Sequence, residues 1–300
     1  MKPQPSNSWL PLYCALGVVW GCSFIFIKLG LEFLTPFGVA FGRCLLGALT
    51  LIVIVLSRKL NFPRQLKIWL HLWFVSFLLN SIPGVLFALA ETKVTSILAG
   101  ILNATTPLMT IAVIFLAFRE EKPKAHHIVG LVVGAVGVFV VLGAWEGIGS
   151  NPLWAVGVLL IATLGYGISF PYSRKFIIPL KLEPEVAAAT QLILATVTLL
   201  PFFIVDGYEQ SNPRTSAIIA MAALGIFGSG FAYIWNFRII ERAGSAIAST
   251  VTYVTPVVAV IVGILFLGEN LKWFEPLGGL IVLLGAAISQ GRLNVLLKRA

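Results

Sequence analysis

Apolar residues run along this chain in blocks of about twenty, parted by short polar breaks. The blocks are apolar on every side and lack the alternation of a half-buried strand. At this length the pattern predicts helices that cross a bilayer. Ten are predicted, over residues 9–28, 35–57, 68–90, 94–118, 127–145, 152–173, 184–205, 215–237, 243–268 and 273–291. In hydrocarbon every backbone amide and carbonyl must pair within the protein, which a continuous helix achieves alone. The breaks are too short for a soluble domain. The first block is too long for a signal peptide and no small-residue cleavage pattern follows, so it is read as an uncleaved span.

Composition agrees. Apolar types make up 58% of the 300 residues and charged types 11%, against roughly 25% charged in soluble domains. The predicted fold class is an all-α integral membrane protein. Cys14, Cys22 and Cys44 lie inside blocks, at spacings that fit neither a zinc site nor a disulfide framework. No metal or cofactor is expected.

The net charge of +9 raises nucleic acid as a partner, but the positions of the charges argue against it. With the N-terminus in the cytoplasm, sixteen of the 21 Lys and Arg residues lie on the inner side. Four lie outside (Lys28, Lys93, Arg214 and Lys272), and the last, Arg43, sits within a block. This asymmetry predicts both termini in the cytoplasm and a plasma (inner) membrane location.

The chain also repeats itself. TPLMTIAVIFLAFRE (106–120) lies over TPVVAVIVGILFLGE (255–269) at an offset of 149, and WGCSF (20–24) lies over YGISF (166–170). RCLLGALTL (43–51) lies over QLILATVTL (191–199). The repeat divides the chain into 1–147 and 148–300, with five spans each. An odd number reverses the second half, giving ten helices as two inverted five-helix repeats around a central cavity. This architecture suits secondary transporters, with the site near the membrane midplane.

WGCSFIFIK, GRCLLGAL and the two Thr-Pro…Glu segments, taken in order, resemble the EamA-type transporters of the drug/metabolite transporter superfamily across nearly the whole chain. The resemblance implies efflux of small metabolites such as amino acids from a central cavity. It also matches Arg43 to the arginine usual in the family's second span. It names no substrate.

Arg43 lies about 12 Å along its helix, at about 1.5 Å per residue, close to the centre of a core about 30 Å thick. Leaving it in lipid costs about 2.5–3.5 kcal/mol on insertion scales, so it should face the interior. Two roles stay open: pairing with helix-end carbonyls or the outer mouth, or lining a wet cavity that attracts an anion. Its repeat mate is Gln191. Trp20 and Ser23 share a face of the first span, and Tyr166 and Ser169 share the matching face of the sixth. Asn80 lies mid-span. Asn103 and Thr106 precede Pro107, and Tyr253 precedes Pro256. These are the cavity candidates, with Pro107 and Pro256 as hinges. Glu120 and Glu269 end matched helices, either as helix caps or as gates at the two mouths.

All twelve acids fall at helix ends or in loops, which argues against proton coupling through a buried carboxylate. The pairs Gly17/Gly21 and Gly130/Gly134 predict close helix contacts, within the protein or in a homodimer. The leading expectation is a secondary transporter that exports a small polar or amphipathic metabolite by alternating access. A membrane-embedded enzyme or an assembly protein is the alternative. No H-E-x-x-H spacing or carboxylate pair at membrane depth supports an enzyme.

Overall fold

The computed structural model describes residues 9–118, 125–141, 152–209 and 212–289. Their helices are α1 (Leu10–Gly30), α2 (Pro36–Ser57), α3 (Leu66–Glu91), α4 (Ser96–Ala117), α5 (Ala125–Val141), α6 (Leu153–Leu180), α7 (Pro184–Asp206), α8 (Thr215–Ala243), α9 (Ser245–Leu267) and α10 (Phe274–Ser289). Among the described residues, eight are long and apolar enough to cross a membrane. The other two, α5 and α10, are apolar but shorter, at 17 and 16 residues. The expected ends of both, and Glu120, lie outside the described residues.

Local chemistry sets the ends. Thr35 and Thr95 accept from the Gly38 and Leu98 amides at 3.2 and 3.1 Å, capping α2 and α4. Gly268 closes α9 at φ +62°, a left-handed conformation that costs glycine little. Two helices outrun their expected ends. α6 continues to Leu180 and α8 to Ala243. Both extensions carry charged residues that read as loop, yet Ile177, Ile239 and Ile240 within them are buried. The charges ride on the outer face of a helix whose inner face still packs.

Helices far apart in sequence pair antiparallel. In α2 and α7, Phe41 stacks on Phe203 with ring centroids 4.3 Å apart, and Thr35 donates to the Asp206 carbonyl at 2.5 Å. At their opposite ends Arg58 meets Glu185 at 2.7 Å. In α4 and α9, Asn103 faces Thr255 and Ser96 faces Glu269. In α5 and α10, Gly137 lies against Gly278 and Gly134 against Gly285, so closely that a Cβ would strike backbone. The glycines at 130 and 134 therefore serve a contact within the chain. α1 packs on α8 and α9, with Gly17 against Val254 and Gly21 against Val258, whereas α6 packs on α3 and α4. Large apolar side chains such as Val53, Ile204, Leu265 and Phe266 point outward, as lipid contact requires.

Both α3 and α8 contain a π-helical turn at mid-length, Phe77–Ser81 and Ile226–Phe231. Such turns release carbonyls from the helical ladder. Leu79 O accepts from the Tyr233 hydroxyl at 3.3 Å and Gly228 O from the Trp20 indole at 3.2 Å.

Candidate substrate cavity

A pocket lies among these helices. α1 supplies Trp20, Ser23, Phe24 and Ile27; α2 supplies Arg43; α3 supplies Leu79 and Phe87. The rest of the wall is Asn103 of α4, Tyr166 and Phe170 of α6, Tyr233 of α8 and Thr252 of α9. The wall is thus largely aromatic, with one cation and a few amide and hydroxyl groups.

Arg43 is 7% exposed. Its Nε donates to Ser229 Oγ at 3.1 Å, while its two terminal amino groups make no hydrogen bond or ion pair among the described residues. Close packing fixes this arrangement. A Cβ on Gly47 would meet Ser229, and one on Gly225 would meet Leu46, so the two glycines let the π turn of α8 reach α2. The side chain is anchored at one edge of its planar fork and free at the other, the edge that binds carboxylates in bidentate fashion.

Of the sequence candidates, Arg43, Trp20, Ser23, Asn103 and Tyr166 come together on the cavity wall. Asn103 sits where α4 meets α9. Its amide donates to Thr255 Oγ1 at 3.2 Å, and its Oδ1 accepts from Thr106 at 3.3 Å. Pro107 and Pro256, both buried, lie just beyond this contact. Thr106 is fully buried behind Asn103.

The other candidates lie off the wall. Ser169 bonds back to the Tyr166 carbonyl at 2.8 Å. Asn80 and Gln191 are hydrogen-bonded to each other, and Ser76 donates to the Gln191 carbonyl at 2.7 Å, making a clamp between α3 and α7. Tyr253 packs beside Ala104, Leu108 and Val282. Glu269 reaches from the end of α9 to the start of α4, accepting from the Ser96 and Ile97 amides at 2.8 and 3.0 Å and from the Ser96 hydroxyl at 2.9 Å.

Sequence reasoning missed Ser229, Tyr233 and Phe87. The repeat offset of 149 carries Asn80 onto Ser229, so the first was within reach. No pattern singled out Tyr233 or Phe87.

The model of the EamA-like transporter family matches the chain twice, over residues 7–143 and 153–290. The uncharacterized inner membrane transporter YedA of Escherichia coli K12 is 28% identical over 94% of this chain and 92% of its own. An uncharacterized transporter of Archaeoglobus fulgidus is 30% identical over 95% and 99%. A solved crystal structure, 20% identical over 94% of this chain and 96% of its own, has the same fold at a TM-score of 0.69. With both halves matched and a transporter's bundle enclosing a cavity, this multi-pass membrane protein belongs to the EamA-like transporter family.

Proposed function

We propose that the protein is a secondary transporter that exports a small amphipathic metabolite bearing an anionic group, such as an amino acid or a related compound. The carrying observation is Arg43, a permanent cation on an aromatic wall with two amino groups unspent on the protein. An aromatic or aliphatic body suits the wall and a carboxylate suits the fork.

Alternating access between two inverted five-helix halves, 1–147 and 148–300, is the mechanism we infer. Support comes from the twofold family match and from the antiparallel pairing of α2 with α7, α4 with α9 and α5 with α10. Further support lies at the two mouths. Lys28 at the end of α1 donates to the Glu91 and Val94 carbonyls, and Arg174, its counterpart in the repeat, donates to those of Ile240 and Glu241. Glu269, docked on the start of α4, acts as a gate contact at the Lys28 mouth. The distribution of Lys and Arg supports a reading with that mouth outside and both termini in the cytoplasm.

Counterflow into proteoliposomes, screened with a metabolite panel, tests the function. The expected result is uptake of labelled carboxylated amphipathic compounds, lost when the carboxylate is amidated. Product formation without flux favours a membrane enzyme; neither favours an assembly role.

A further inference from the structure

Of the three buried carboxylates among the described residues, Glu91 and Glu185 lie at opposite ends of the bundle, and their surroundings differ. Glu185, at the start of α7, is 2% exposed. Its Oε1 is held by Arg58 at 2.7 Å and by Arg238 at 2.5 Å. Glu91, the last residue of α3, is 0% exposed, and neither of its oxygens has a hydrogen-bond partner among the described residues. The cation beside it is Lys28. That ammonium is directed to the backbone carbonyls of Glu91 at 2.6 Å and Val94 at 3.1 Å.

The other charged groups acting on Glu91 are Glu269, beyond α9, and Arg43 of α2. α2 also carries Cys44, and α6 brings Tyr166, stacked on Phe87 one turn before Glu91. α4 has no titratable residue, and Lys93 on the turn after α3 is exposed. Lys28 attracts a negative charge at Glu91 while Glu269 repels it. A sealed, ionised carboxylate that accepts no hydrogen bond forfeits its hydration. The neutral acid avoids that cost.

We propose that Glu91 is a proton-binding site that locks its own mouth. The acid form is held while α1, α3 and the end of α9 close over it. When the mouth opens, the carboxyl O–H bond breaks, the proton passes to water in the mouth, and the carboxylate is left beside the Lys28 ammonium. Closing reverses the transfer. Glu185, with permanent arginine partners, gives the opposite mouth no such site. The proposal rests on the alternating-access reading above.

The test places spin labels at Thr92 and Asn270, both exposed at this rim, in the full chain in nanodiscs with the native cysteines replaced. Distance distributions across a pH series give the ratio of closed to open mouths. For the wild type the ratio should fall by about tenfold per pH unit, the limit for one proton released on opening. Glu91→Gln, which imitates the acid, should stay closed at every pH, and Glu91→Asp should keep the slope. Glu269→Gln should shift the midpoint and keep the slope.

A wild-type slope retained in Glu91→Gln overturns the proposal, as does a slope lost only in Glu269→Gln. If Glu91→Gln does not fold, an infrared difference spectrum of the wild type decides: a protonated-carboxyl band should appear on closing, and its absence overturns the proposal. A distance that responds to substrate but not to pH defeats the proton site and leaves alternating access standing. A distance that responds to neither defeats both.

Discussion

Arg43 of α2 and Ser229 of α8 meet across the bundle, Nε to Oγ at 3.1 Å, within a contact that Gly47 and Gly225 make close enough to form. The serine orients the arginine without neutralising it. Ser229→Ala should therefore leave the charge in place but let the fork swing. We expect the apparent KM to rise roughly tenfold, equivalent to about 1.4 kcal/mol, with maximal flux largely kept. Initial-rate transport against substrate concentration checks this. An unchanged KM means that the anchor does not matter to binding.

The Glu185 mouth makes a prediction about stability. The side chains of Arg58 and Arg238 are 56% and 33% exposed, whereas that of Glu185 is buried. Removing either arginine leaves the other, so each single alanine should cost less than about 1 kcal/mol. Removing both strands a buried carboxylate and should cost about 3–5 kcal/mol. Thermal melts of the two singles and the double expose this non-additivity. Additive costs would mean that the arginines do not share the load.

Glu269 caps α4 through two amides and a hydroxyl. Losing a cap costs about 0.5–2 kcal/mol, and on the proposed gating role that cost falls on the closed form of the mouth. Glu269→Ala should raise the open population seen by labels at Thr92 and Asn270 while the rank order of substrates stays the same. A changed rank order with an unchanged mouth would place Glu269 in recognition instead.

Much of this was legible in the chain. A single arginine eight residues into an apolar block has few stable places to go, and the Trp20 and Tyr166 faces follow from helical spacing. What stayed hidden depends on register and closure. Ser229 reaches Arg43 only because a π turn rotates α8, and that turn leaves no mark in the apolar pattern. The repeat read in the sequence pairs Gln191 with Arg43, yet the Gln191 side chain turns toward Asn80. Glu91 reads as a solvated helix end, and its burial comes from the elements that close over it in space. The ends of α6 and α8 were set too early because charges on an amphipathic last turn look like loop.

The central claim is that Arg43 holds the anionic group of the substrate, and flux per folded molecule in Arg43 variants tests it most directly. Arg43→Ala should abolish most transport while the protein inserts normally and keeps a melting temperature near that of the wild type. It should also lose the upward shift in melting temperature that substrate gives the wild type. Arg43→Lys, which keeps the charge but not the planar fork, should retain part of both. If Arg43→Ala transports at the wild-type rate per folded molecule, or loses flux only in proportion to lost folded protein, the arginine serves packing and the account is contradicted.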